Sequence, residues 1–139
     1  MPVLSFTIAL QKAELPQPRF GRPLLTLGGI VHAFEVDELP DVADPWVVVE
    51  VEHEPAHTGR AFDVRLTMQD PGGAEYELVA GTITAPGAPH ADVPPVSILA
   101  WRPYFALSQA GALSFRVYLD GALAFTRAYA VIVAAPPHT

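Results

Sequence analysis

The sequence predicts an all-β chain, two packed antiparallel sheets built from seven or eight short strands. Three observations carry this. Fifteen prolines and ten glycines cut the 139 residues into short blocks, and a proline inside a helix removes an amide donor and clashes with the preceding turn. Within the blocks, apolar residues alternate with polar ones. The clearest case sets Phe62, Val64, Leu66 and Met68 against Asp63, Arg65, Thr67 and Gln69, the period-two pattern of a half-buried strand. Between the blocks stand turn sequences such as Asp70-Pro71-Gly72-Gly73 and Asp120-Gly121, where glycine supplies the positive φ that other residues resist.

The first strand is expected over Val3 to Ala13 with Leu4, Phe6, Ile8 and Leu10 inward, followed by a proline-bearing loop over Leu15 to Pro23. A second spans Leu24 to Val36, where Gly28-Gly29 marks a bulge or bend. After an acidic turn, Trp46 to His53 is rich in β-branched valine and reads as a strand. With the loop Glu54 to Gly59 and the alternating strand that follows, it suggests a hairpin. Tyr76 to Ala80 resumes after the Asp70 turn, and Gly81 to Pro95 is expected to be irregular. Val96 to Leu107 contains Pro103, so an edge strand or a strand broken at Arg102 is expected, since an interior strand would lose a ladder hydrogen bond. Ala112 to Leu119 and Ala122 to Val133 flank Asp120-Gly121, a two-residue hairpin turn whose twist matches that of paired strands.

This strand order suggests a two-sheet antiparallel immunoglobulin-like β-sandwich, with a barrel as the alternative closure. One domain over 1–133 and a flexible tail over 134–139 are expected. No cysteine pair is available, so Trp46 is expected to plug the core, and Trp46→Ala to cost about 3–5 kcal/mol if the ring is buried.

Half the residues are hydrophobic, enough to overcome chain entropy and to exclude a disordered body. Eight basic against fifteen acidic residues give a formal charge of -7, which repels phosphate backbones and anionic lipid. Nucleic acid and membrane are therefore not expected as partners. The absence of cysteine suits a reducing compartment, and with no basic n-region and no long apolar run a cytoplasmic location is expected.

Chemistry-bearing motifs are sparse. His53 and His57, with Glu50 and Glu52, form the densest potential metal cluster, yet a strand-loop His-x3-His does not set two imidazoles on one face and no third ligand follows. A solvated hairpin tip is the expectation there, and no metal is assigned. The acidic run Glu35, Asp37, Glu38, Asp41, Asp44, Glu50, Glu52 and Glu54 lacks the Asp-x-Asp spacing of a calcium loop and suits an exposed edge that blocks sheet-to-sheet pairing. Ser5, Ser97, Ser108 and Ser114 lie in no Gly-x-Ser-x-Gly elbow. Gly28-Gly29 and Gly72-Gly73 lack the lysine or helix of a phosphate loop, so no cofactor and no catalytic residue is expected. Trp101, Arg102, Tyr104 and Phe105, around Pro103, are the candidate partner-binding residues, because aromatic and arginine side chains are enriched where a partner is buried.

The succession Leu24-Leu25-Thr26-Leu27-Gly28-Gly29-Ile30, Val47-Val48-Val49-Glu50-Val51, Asp70-Pro71-Gly72-Gly73 and Phe115-Arg116-Val117-Tyr118-Leu119-Asp120-Gly121 resembles a family of small uncharacterised bacterial β-sandwich proteins that close on an F-R-V-x-x-D-G hairpin. The resemblance covers most of the chain, rests on turns and strands, and implies the fold without implying any functional residue. Two functional expectations stand beside it. The first is a non-enzymatic interaction or structural module that binds a protein partner or self-assembles as a homodimer through the Trp101 to Phe105 region or a sheet edge. The second is a small-ligand or carbohydrate-binding sandwich.

Overall fold

A computed structural model describes residues 3–14 and 26–134, with side chains over 3–9 and 31–134. The loop expected over Leu15 to Pro23 and the tail from residue 135 lie outside the described residues. Ala134, at the start of that tail, donates its amide to the Val36 carbonyl at 2.8 Å.

The described residues form eleven strands. They are β1 (Val3–Glu14), β2 (Thr26–Ile30), β3 (Ala33–Val36), β4 (Asp41–Ala43), β5 (Trp46–Glu52), β6 (Ala61–Gln69), β7 (Glu75–Thr84), β8 (Val96–Trp101), β9 (Phe105–Leu107), β10 (Gly111–Leu119) and β11 (Ala122–Val133), with a 3-10 turn at Pro55–His57. A four-stranded sheet runs β2-β1-β5-β8, a five-stranded sheet runs β3-β11-β10-β6-β7, and β4 pairs with β9. No helix among the described residues is long and apolar enough to cross a membrane.

The chain is all-β as expected, but it has more strands than seven or eight, for three local reasons. The predicted second strand divides at Val31-His32, and its halves join different sheets. The glycine doublet is not the breaking point. The extra residue there sits on β1, where Ala9 pairs with Ile30 and Lys12 with Gly28. The acidic turn contributes β4, and the Val96–Leu107 block parts at Arg102-Pro103 into β8 and β9 as the missing amide predicted.

Two pairings need correction. β5 and β6 are not a hairpin, because residues 53–60 carry the chain from one sheet to the other. Nor does the irregular piece begin at Gly81: β7 continues to Thr84, paired with Ala61 of β6. One contact is parallel rather than antiparallel, β3 with β11 from Ala33↔Ala130 to Val36↔Val133.

Between the two larger sheets lies one apolar core. The inward residues of β5, Val47, Val49 and Val51, face Leu66 and Met68 of β6 and Leu113, Phe115 and Val117 of β10. Phe115 is fully buried, with the rings of Phe6, Phe34, Phe105 and Tyr129 at 5.7–6.5 Å. Strand alternation puts Trp46 and Val48 on the opposite face of β5. Trp46 is accordingly half-buried and is not the core plug expected of it. Trp46→Ala is therefore expected to lower stability by only about 1–2 kcal/mol, read from a urea unfolding midpoint; a loss above about 3 kcal/mol would return the ring to the core.

Candidate functional site

β8 is the outer strand of the four-stranded sheet, and among the described residues it pairs only with β5, from Val47↔Trp101 to Glu52↔Val96. Its sequence, Val-Ser-Ile-Leu-Ala-Trp, holds no charge, and all six residues are half-buried. Leu99 and Trp101 pack on the core, so alternation turns Val96, Ile98 and Ala100 to the outer face. Edge strands in general are blunted by charge, proline or bulges. β7, at the edge of the other sheet, carries the exposed Glu75 and Glu77, whereas β8 has prolines only outside its ends, Pro95 and Pro103, both buried.

The four candidate partner-binding residues continue from this edge but do not share one surface. Trp101 is half-buried against the core. Arg102 is exposed and committed to Asp44, donating from Nε to the carbonyl at 3.0 Å and from a terminal nitrogen to the carboxylate at 3.1 Å. Tyr104 is 71% exposed, the most open of the large hydrophobic side chains among the described residues. Phe105 is 4% exposed and meets Phe34 and Phe115 edge-on at 6.1 and 5.7 Å. Once Pro103 ends β8, Phe105 enters β9 opposite Ala43 and turns to the core. Tyr104, the outer part of Trp101 and the Arg102–Asp44 pair remain as surface.

His53 is not at a solvated tip. It is 1% exposed, its amide donates to the Pro95 carbonyl at 2.8 Å, and its Nε2 shares a 2.8 Å hydrogen bond with Ser97 Oγ. The rings of His53 and His57 lie 5.6 and 5.8 Å from that of Phe62, over which the Arg60 guanidinium stands at 4.8 Å. The Nδ1 atoms of both histidines are buried without a hydrogen-bond partner. Burial, with the adjacent His57 adding to it, holds the His53 imidazole below its ordinary pKa.

A serine hydroxyl on an imidazole is the beginning of a nucleophilic triad, but the base must be oriented at its other nitrogen and reachable by substrate. His53 Nδ1 has no such partner, so the contact ties the end of β5 to β8. No group of three or more His, Cys, Asp or Glu side chains converges among the described residues. Of the acidic run, Asp44 pairs with Arg102 and Glu54 lies 3.7 Å from His57.

The outer face of the five-stranded sheet holds a polar constellation that sequence reasoning did not single out. Glu75 accepts hydrogen bonds from Thr67 Oγ1 at 2.8 Å and Tyr118 OH at 3.2 Å, and Arg116 lies 3.4 Å from it. The Thr67 hydrogen bond first, then Tyr118, Arg116 and Arg65, lower its pKa. Arg65 sits over the Tyr118 ring at 4.4 Å. Beside it an open concavity of about 730 Å3 is lined by Asp63, Arg65, Ala80, Thr82 and Tyr118 among others. The alternation in Asp63 to Thr67 and in Ser114 to Tyr118 puts these side chains on outward faces. Their meeting depends on the register Arg65↔Tyr118, which no local pattern states. A smaller cleft, about 190 Å3, lies between β1 and β11 beside Arg127 and Tyr129; burial raises the Tyr129 phenol pKa.

No family model matches the chain, and no curated protein matches it at a significant level.

Proposed function

We propose that this chain is a non-enzymatic interaction module, an immunoglobulin-like sandwich that assembles with a second copy by strand addition at β8. The observation that carries this is the uncharged outer edge of β8. An edge strand turns half of its amides and carbonyls away from its neighbour, and a second strand satisfies them. Antiparallel pairing of β8 with β8 of another copy is a two-fold, self-complementary contact that joins two four-stranded sheets into one. It brings Tyr104 and the outer part of Trp101 against the partner, where aromatic side chains contribute most to binding.

Several features support the sandwich arrangement. A β10–β11 hairpin lies beside β6 and β7 in one sheet, β5 and β8 pair in the other, and an early strand, β3, runs parallel to the last one. A cytoplasmic setting agrees with the lack of cysteine, and kinship with small uncharacterised bacterial sandwich proteins belongs to the same proposal. The net charge of -7 disfavours nucleic acid as the partner.

The test is Ile98→Lys. Ile98 lies opposite Glu50 in the β5–β8 ladder, so the new ammonium finds a carboxylate within its own sheet while a charge now stands on the edge. Light scattering coupled to size exclusion is expected to give twice the chain mass for the wild type and the single-chain mass for the folded variant. A wild type that stays monomeric at its highest soluble concentration, or a variant that dimerises unchanged, sinks the proposal.

A further inference from the structure

The geometry points to the concavity on the outer face of the five-stranded sheet as a binding site for a sugar acid, a ligand with one carboxylate and several hydroxyls. The site does not depend on pairing at β8, which belongs to the other sheet.

Two side chains of opposite charge, Asp63 and Arg65, stand two residues apart on β6 and face the same way. Neither takes part in an ion pair among the described residues, whereas Arg60, Arg102 and Arg116 pair with Asp120, Asp44 and Glu75. Arg65 is nonetheless held in place. Its guanidinium lies over the Tyr118 ring at 4.4 Å, and that ring is fixed at its hydroxyl by Glu75. A guanidinium placed by stacking, with uncommitted N–H donors, is suited to bidentate recognition of a planar carboxylate. Across the ladder, β7 offers Ala80 opposite Arg65 and Thr82 opposite Asp63. The small Ala80 lines the open concavity beside Arg65, on the side away from Tyr118, and Thr82, opposite Asp63, adds a hydroxyl to the same lining.

The surrounding charges select among anions. A phosphate dianion would lie close to Asp63, Asp120 and Glu75 on a chain of net charge -7, whereas a carboxylate brings one charge, which Arg65 balances. The donors that suit Asp63 are neutral. The paired Asp120 side chain already accepts from the Asp63 amide at 2.9 Å and holds Arg60 at 3.6 Å, so an ammonium would enter between the Arg60 and Arg65 cations. Hydroxyls carry no such penalty and match the acceptor of Asp63 and the donor-acceptor pair of Thr82.

Amide NMR shifts on the full chain, titrated with sodium glucuronate, test the assignment, with glucose, acetate and γ-aminobutyrate in parallel. Saturable shifts centred on Arg65, Thr82 and Tyr118 are expected with glucuronate, and far weaker ones with the other three. Arg65→Met, at an exposed position, is expected to weaken glucuronate binding about tenfold or more, and Ala80→Trp to abolish it by filling the space. Near-UV circular dichroism checks folding; if Ala80→Trp misfolds, Arg65→Met decides. No saturable shift with glucuronate, undiminished affinity in Arg65→Met, or equal binding of acetate or γ-aminobutyrate overturns the assignment.

Discussion

Phe115→Ala is expected to lower the stability of the folded chain by about 3–5 kcal/mol, the largest single-residue effect the fold supports. Phe115 is 0% exposed and occupies the middle of β10, which is flanked by β6 and β11. Four aromatic rings surround it: those of Phe105 and Tyr129 stand edge-on at interplanar angles of 69° and 83°, and those of Phe6 and Phe34 are tilted at 39° and 36°. Rings held in this way by both sheets and by the short β4–β9 pair have few rotamers with which to refill the void, so the cavity cost adds to the lost transfer energy. For a chain of this length the loss corresponds to a fall in Tm of roughly 10–20 °C, a large part of the stability typical of one domain. Urea unfolding followed by tryptophan fluorescence checks it. A change below about 1 kcal/mol would mean that the two sheets do not close on this residue.

What the sequence made legible was local. The alternation in Phe62 to Gln69 became β6, with Phe62, Val64, Leu66 and Met68 buried. Asp120-Gly121 became a hairpin turn with φ of 49° and 79°, because a two-residue turn of the I′ kind, whose twist matches paired strands, demands left-handed backbone at both positions. Pro103 ended β8 where its missing amide said it would. What was hidden depends on which strands meet. The sequence His53 to Arg60 is equally compatible with a return beside β5 or with a crossing to the opposite sheet, and the crossing is what forms. The parallel pairing of Ala33 with Ala130 joins the third strand to the last one, and no periodicity encodes it.

The same distinction separates the candidate residues. Trp101, Arg102, Tyr104 and Phe105 were legible as a cluster of types, but their exposure was not. Phe105 enters the core because β9 pairs with β4, while Tyr104, one residue earlier, is left outside. Asp63, Arg65 and Tyr118 passed as ordinary outward residues of two alternating strands until register set them side by side. His-Glu-Pro-Ala-His has the composition of a solvated turn, and nothing in it announces that Pro95 and Ser97 will close over the first histidine.

That closure sets the last expectation, a loss of stability between neutral and mildly acidic pH that passes through His53. Burial holds the imidazole below its ordinary pKa of 6.5, so in the folded chain it takes a proton at lower pH than in the unfolded chain. Between the two values the unfolded state binds more protons, and stability therefore declines as the pH drops below about 6.5 and is fully present above it. The depressed Glu75 carboxyl acts with the same sign in a lower window, losing its contribution as the pH falls below the ordinary value of 4.5. Measurements at pH 7.5 and 5.5 thus isolate the histidine from the carboxylate. The urea midpoint of the wild type is expected to fall between these two conditions, and His53→Gln, which keeps an amide within reach of Ser97 Oγ but cannot titrate, is expected to show a smaller fall. Protonation places a charge beside Phe62, where the Arg60 guanidinium already lies, so opening should begin where residues 53–60 cross between the sheets, with faster amide exchange at His53 than at Phe115. An identical pH dependence in wild type and His53→Gln would show that the buried imidazole is not the group being titrated.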